Sequence, residues 1–102
     1  MLNKILLLGN LGRDPEVKFT NQGNRYAQIS VVTVHKYKDG SGERLEKLTW
    51  HKILLFNHLA ETALSYLKKG NLIYIEGRVD ITESKEGIKY YSVIASEFKM
   101  LS

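Results

Sequence analysis

The sequence has no cysteine and a single proline, Pro15, in 102 residues. Without cysteine there is no disulfide framework and no thiolate metal site, a composition suited to a reducing compartment. The scarcity of proline, with 43% apolar and 25% charged residues, argues against a disordered chain. Long hydrophobic runs are also missing. Ile5 to Leu8 is far too short for a membrane span or the apolar region of a signal peptide, so a cytoplasmic protein without membrane contact is expected. The histidines His35, His51 and His58 lack zinc spacing with carboxylates, and neither a metal nor another cofactor is expected. Ser30, Ser41 and Ser65 belong to no nucleophile elbow, and no glycine-rich segment matches a phosphate cradle. Glu43, Glu46, Glu83 and Glu86 could pair, but carboxylates in polar segments are usually solvated. Together these absences argue against an enzyme.

What remains is one domain, residues 1–102, with a formal net charge of +4 that mildly favours an anionic partner such as nucleic acid. Asn3 to Leu11 is apolar and β-rich, broken by Gly9 and Gly12. Asp14-Pro15 and a short extended piece, Glu16 to Thr20, follow, so the whole reads as one bent first strand. After the turn residues Asn21 to Asn24, Tyr26 to Tyr37 places Ala27, Ile29, Val31 and Thr33 on one parity and forms a second strand. Asp39-Gly40 marks a hairpin tip, and Glu46 to Phe56 is the third strand. The period then changes: Leu59, Ala60, Ala63, Leu64 and Leu67 align one apolar stripe on a helix. Asn57 is expected to cap it, Gly70 to end it, and Lys68 and Lys69 to sit in its last turn. Asn71 to Ile81 and Lys89 to Met100 complete five strands. The expected fold is all-β with one helix: a five-stranded OB-fold barrel, the helix lying between strands three and four and plugging one end. A sandwich is the alternative, but it usually needs about seven strands.

The third strand carries the sharpest functional signal. Alternation separates Thr49, His51, Ile53 and Leu55 from Leu48, Trp50, Lys52, Leu54 and Phe56. Two aromatics interleaved with a cation make a stacking surface for single-stranded nucleic acid, although aromatics in strands most often fill the core. Tyr37, between Lys36 and Lys38 at the hairpin, fits an arm that closes over a strand, or an ordinary solvated tyrosine. Lys4, Lys18, Lys47, Lys52 and Lys69 are scattered, and only a shared surface would make them phosphate contacts. His51 lies opposite Trp50 and reads as a packed or interface histidine.

Several segments, in order, resemble the bacterial single-stranded DNA-binding protein family over nearly the whole chain. They are Asn3 to Val17 with its Gly9-Asn10-Leu11-Gly12 core, Thr49-Trp50-His51-Lys52 running to Phe56, Leu59-Ala60-Glu61, Tyr66 to Gly70, and Tyr74-Ile75-Glu76-Gly77-Arg78. The resemblance implies a homotetramer of OB-folds that wraps single-stranded DNA with little sequence preference during replication, repair and recombination. By position it implies stacking by Trp50 and Phe56, with Tyr37 where the family usually has a tryptophan. It also implies a subunit-interface role for His51 and a basic contact at Lys69. On this reading the DNA-binding residues are Tyr37, Trp50, Phe56, Lys4, Lys18, Lys36, Lys38, Lys52 and Lys69.

Besides Tyr37, the chain departs from the pattern in three places. His58 stands where the family often has a lysine, and Val79 to Gly87 lacks the family's further cations and stacking tryptophan. The family's flexible tail, whose acidic, Phe-ended tip recruits replication and repair proteins, has no counterpart up to Ser102, so such partners are not expected of these residues. A primosomal OB-fold adaptor that mainly contacts proteins is the competing reading, and a carbohydrate-binding OB-fold a distant third.

Overall fold

A computed structural model describes all 102 residues. Strands β1 (Ile5–Leu11), β2 (Glu16–Phe19), β3 (Arg25–Lys38) and β4 (Arg44–Leu55) precede helix α1 (Asn57–Tyr66), and β5 (Leu72–Glu83) and β6 (Lys89–Met100) follow it. The sheet order is β1-β5-β6-β4-β3-β2, and β1 also pairs with β3, which closes a five-stranded barrel. The barrel is the expected OB-fold. The single bent strand of the sequence reading is divided into β1 and β2, so α1 falls between the fourth and fifth strands by count. The division is local: Gly12 to Pro15 interrupts pairing, yet β1 and β2 both pair antiparallel with β3, through Asn10↔Val32 and Leu11↔Val31, then Glu16↔Gln28 to Phe19↔Arg25.

Closure requires close backbone approach at Gly9, where a Cβ would collide with the Val32 carbonyl. The interior is filled by the inward parity of each strand: Leu7 and Leu11, Ala27, Ile29 and Val31, Ile53 and Leu55, Ile73 and Ile75, Val93 and Ala95. Ala60, Ala63 and Leu67 seal it from the helix side. Full burial of each large aliphatic contributes roughly 1.5–3 kcal/mol. The Arg25 guanidinium donates to both carboxylate oxygens of Glu61, at 3.2 and 2.8 Å, and ties the start of β3 to α1.

The ends of α1 differ from the sequence reading. Phe56, in extended conformation, occupies the N-cap position, and no side chain caps the helix; Asn57 instead takes a φ of 55°. The helix stops at Tyr66 because Leu67 turns to extended backbone and buries its side chain. Lys68 and Lys69 therefore lie beyond the last turn. They belong to a separate turn in which the Lys68 N–H donates to Asn71 Oδ1 at 2.8 Å and Gly70 adopts a φ of 94°.

Beyond the barrel, β3 and β4 continue together as a two-stranded arm from Thr33↔Thr49 to Lys38↔Arg44. At its tip the Asp39 carboxylate accepts from Ser41 Oγ, Ser41 N–H and Glu43 N–H at 2.7–2.9 Å. The Ser41 hydroxyl first, then the Glu43 amide, hold that carboxyl below its ordinary pKa. A second hairpin, β5–β6, pairs as far as Glu83↔Lys89.

Candidate nucleic-acid interface

The β3–β4 register decides which side chains share a surface. Val32↔Trp50, Ser30↔Lys52 and Gln28↔Leu54 are directly opposed, and all point away from the barrel interior. Trp50 is 51% exposed, so it is not a core residue. Lys52 is exposed and has no carboxylate partner. Phe56, just past β4, is half-buried and stacks on Tyr26 of β3, with ring centroids 5.1 Å apart and planes at 25°. An outward stripe therefore runs Trp50, Lys52, Leu54, Phe56, with an aromatic at each end and a free cation between.

The indole of Trp50 reaches across Val32 to the loop after β1. A Cβ at Gly12 would overlap the ring atoms Cζ3 and Cη2, so only glycine there lets the ring lie down. The guanidinium carbon of Arg13 sits over the ring, 5.4 Å from its centroid. Lys69 belongs to the same neighbourhood, because its N–H donates to Asp14 Oδ1 at 2.8 Å.

Other sequence-predicted residues are placed differently. Lys18, opposite Tyr26, is ion-paired to Glu16 at 3.3 Å. Lys36 and Lys38 are on the arm, on the Trp50 parity, with Lys36 3.9 Å from Glu46. Tyr37 pairs with Leu45 on the opposite face of the ribbon and stacks on His35 at 5.9 Å. It lines an open cleft of about 470 Å³ with Lys36, Lys38, Arg44, Leu45 and Glu46. Lys4, at the far end of β1, is engaged by Glu76 at 3.5 Å. Glu76 also accepts from the Tyr74 hydroxyl at 2.5 Å, which pushes the phenol up to about 12. The structure thus brings Trp50, Lys52, Phe56 and the Lys69 turn onto or beside one stripe, leaves Tyr37 on a second surface and places Lys4 apart.

Sequence reading missed two members of the site, Arg13 and Tyr26. Tyr26 has the parity of Gln28, Ser30 and Val32, but only the register shows that it faces Phe56. Arg13 lies in a loop, where no periodicity speaks. His51 is half-buried on the inward parity, opposite Val31. Its Nε2 is 2.9 Å from Thr33 Oγ1, and its buried Nδ1 has no partner. Burial lowers its pKa below the ordinary imidazole value.

Comparison with known proteins agrees with this geometry. The model of the single-strand binding protein family matches residues 2–101. A single-stranded DNA-binding protein of Neisseria meningitidis is 44% identical over 98% of this chain, and one of Xanthomonas campestris 38% identical over 98%. The chain spans about 60% of the length of each. Among solved structures, a Plasmodium falciparum single-stranded DNA-binding protein in complex with single-stranded DNA superposes with a TM-score of 0.89 at 26% identity, covering 100% of this chain and 96% of that one. The wild-type single-stranded DNA-binding protein of Thermus aquaticus gives 0.83 at 27% identity, covering 99% and 50%. With a family model that matches residues 2–101 and relatives 38–44% identical over 98% of its length, the chain belongs to the single-strand binding protein family.

Proposed function

We propose that this chain binds single-stranded DNA with little sequence preference and without catalysis, protecting exposed strands during replication, repair and recombination in the cytoplasm. The observation that carries the reading is the half-exposed Trp50, its ring edge resting over Gly12 beside the unpaired cations Lys52 and Arg13. Bases stack on the indole and on the Tyr26–Phe56 pair, while Lys52, Lys69 and the arm lysines Lys36 and Lys38 neutralise phosphates. Tyr37, on the other ribbon face, takes a separate segment of the strand. Stacking tolerates any base, because every base has a π-face.

The chain works as a homotetramer. In support, Ile5 to Gly9 has β5 on one side only, leaving an open strand edge, and Leu6 and Leu8 are exposed on the outer face. The half-buried His51, with Nδ1 unpartnered, fits a subunit boundary.

Titration of oligo-dT against Trp50 fluorescence tests the reading. Saturable quenching is expected, with affinity falling as salt rises by a log–log slope of about −0.7 per phosphate contact. Poly-dA and mixed sequences should compete within about tenfold, a margin of roughly 1.4 kcal/mol. A second reading is favoured by the acidic Asp80, Glu83 and Glu86 on and around the β5–β6 hairpin: an adaptor that contacts proteins. An unquenched Trp50 together with no retention of labelled oligo-dT would select it.

A further inference from the structure

We propose that Arg13 is an exchangeable cap on Trp50: its guanidinium covers the indole in the free protein, and an incoming base displaces it onto the adjoining phosphate. The inference rests on the DNA-binding reading of this surface and deepens it by adding a residue and a step.

The loop that carries Arg13 is fixed on both sides. Leu11 N–H donates to Asn71 O at 2.9 Å and Gly12 N–H to Ser30 O at 2.9 Å. Past Arg13, Asp14 Oδ1 accepts from Lys69 N–H at 2.8 Å. The backbone of Arg13 is thus held beside Trp50, whereas its side chain is not committed. The four ion pairs of the structure are Lys4–Glu76, Lys18–Glu16, Arg25–Glu61 and Lys36–Glu46, and Arg13 is in none of them. No side-chain hydrogen bond holds it either, and its guanidinium rests over the indole at 5.4 Å. The carboxylate nearest in sequence, Asp14, is occupied by the Lys69 amide.

Part of the indole is already in use. The Cζ3–Cη2 edge of the ring lies over Gly12, where no Cβ intervenes, and an incoming base takes the exposed surface that Arg13 shares with solvent. Base stacking on an aromatic is stronger than a cation–π contact at an exposed site, so the base wins the ring. The displaced guanidinium stays within a side chain's length of the stacked nucleotide, and a phosphate offers its planar fork a bidentate partner that the ring does not. The cap therefore costs little to remove and becomes a backbone contact once removed. It also covers part of the only tryptophan, which stays half-exposed, in the absence of DNA.

The test is fluorescence titration of wild type, Arg13→Ala and Arg13→Lys with oligo-dT over a tenfold range of salt. Arg13→Ala should shift the emission of the free protein to longer wavelength, while the quenched emission at saturation stays that of wild type. Its salt slope should be shallower by about 0.7, so the affinity ratio of wild type to variant shrinks about fivefold across that range. Arg13→Lys, which keeps the charge without the planar fork, should keep the wild-type slope. An unchanged slope in Arg13→Ala overturns the transfer to phosphate, and unchanged free-state emission overturns the cap. Loss of the saturating quench in Arg13→Ala would make Arg13 a brace for the ring and also overturn the exchange. If wild-type Trp50 is not quenched at all, the DNA-binding reading itself falls, a result distinct from each of these.

Discussion

At the scale of single residues, Trp50 and Gly12 act as a unit. Trp50 is half-exposed and fills no core cavity, so Trp50→Ala should change stability by about 1 kcal/mol or less. It should cost roughly 1–3 kcal/mol of binding for each base that stacks there, read by competition with labelled oligo-dT. Gly12 has no left-handed backbone, so alanine is sterically allowed for the chain itself, but its Cβ meets the tip of the indole. The indole is the part that can swing away. Gly12→Ala is expected to leave the thermal midpoint near wild type while lowering DNA affinity toward that of Trp50→Ala, with Trp50 still present. A variant that binds as well as wild type would show that the ring need not lie on the loop. Parity alone put Trp50 and Phe56 on one face but could not say whether that face was core or surface. The tie is broken by long-range closure, since inward Ile53 and Leu55 complete an interior already made by Ile29, Val31, Ile73 and Ile75. Arg13 was illegible for another reason: a loop residue acquires its neighbour only when Gly12, Val32 and Trp50 arrive from three elements.

At the scale of elements, the strands were readable because buried residues recur at every second position with less buried ones between them, as in Ala27, Ile29 and Val31. The helix was readable from its apolar stripe, but its ends were not. Asn57 has the composition of a cap and Gly70 that of a stop, yet burial of Leu67 and the bonds to Asn71 and Asp14 set the boundary. Tertiary contacts outweighed local preference there. The β3–β4 element also carries a titratable test. Burial lowers the His51 pKa in the folded state, so the unfolded chain binds its proton more tightly. Stability is therefore complete above the ordinary imidazole value of about 6.5 and declines as pH falls below it, until the folded-state pKa is passed. Thermal unfolding between pH 8 and 5 should show a drop in midpoint over the acidic part of that range, and His51→Gln should flatten it. An equally steep profile in the variant would assign the loss to other groups.

At the scale of the whole molecule, the chain is more extended than its length requires. Its radius of gyration is 15.3 Å, against roughly 13 Å for a compact domain of this size. The excess lies in the two hairpin arms, which leave Val34, Leu48, Ile81 and Ile88 exposed. A two-stranded ribbon is marginal by itself in water, so arms of this length need something to rest on. The proposed function would supply two such supports, DNA and further copies of the chain. The open edge from Ile5 to Gly9 offers backbone groups for strand addition, and Leu6 and Leu8, 57% and 58% exposed, sit beside the Tyr74–Glu76–Lys4 cluster. Two leucines two residues apart on an outer face contribute nothing to the barrel interior, so replacing both with glutamate should spare the fold. It would, however, place carboxylates beside Glu76 and, across a symmetric contact, beside each other, which repels copies as well as removing apolar area. Light scattering at micromolar concentration should give the wild type a mass near four times 11.7 kDa, and the Leu6→Glu, Leu8→Glu variant a lower multiple with an unchanged circular-dichroism spectrum. Because strand wrapping needs several barrels at once, the variant should still quench Trp50 with short oligo-dT but lose most of its advantage on longer strands, where linked sites bind by effective concentration. A wild type that is monomeric at that concentration, or a variant that remains tetrameric, would move the contact between copies away from β1.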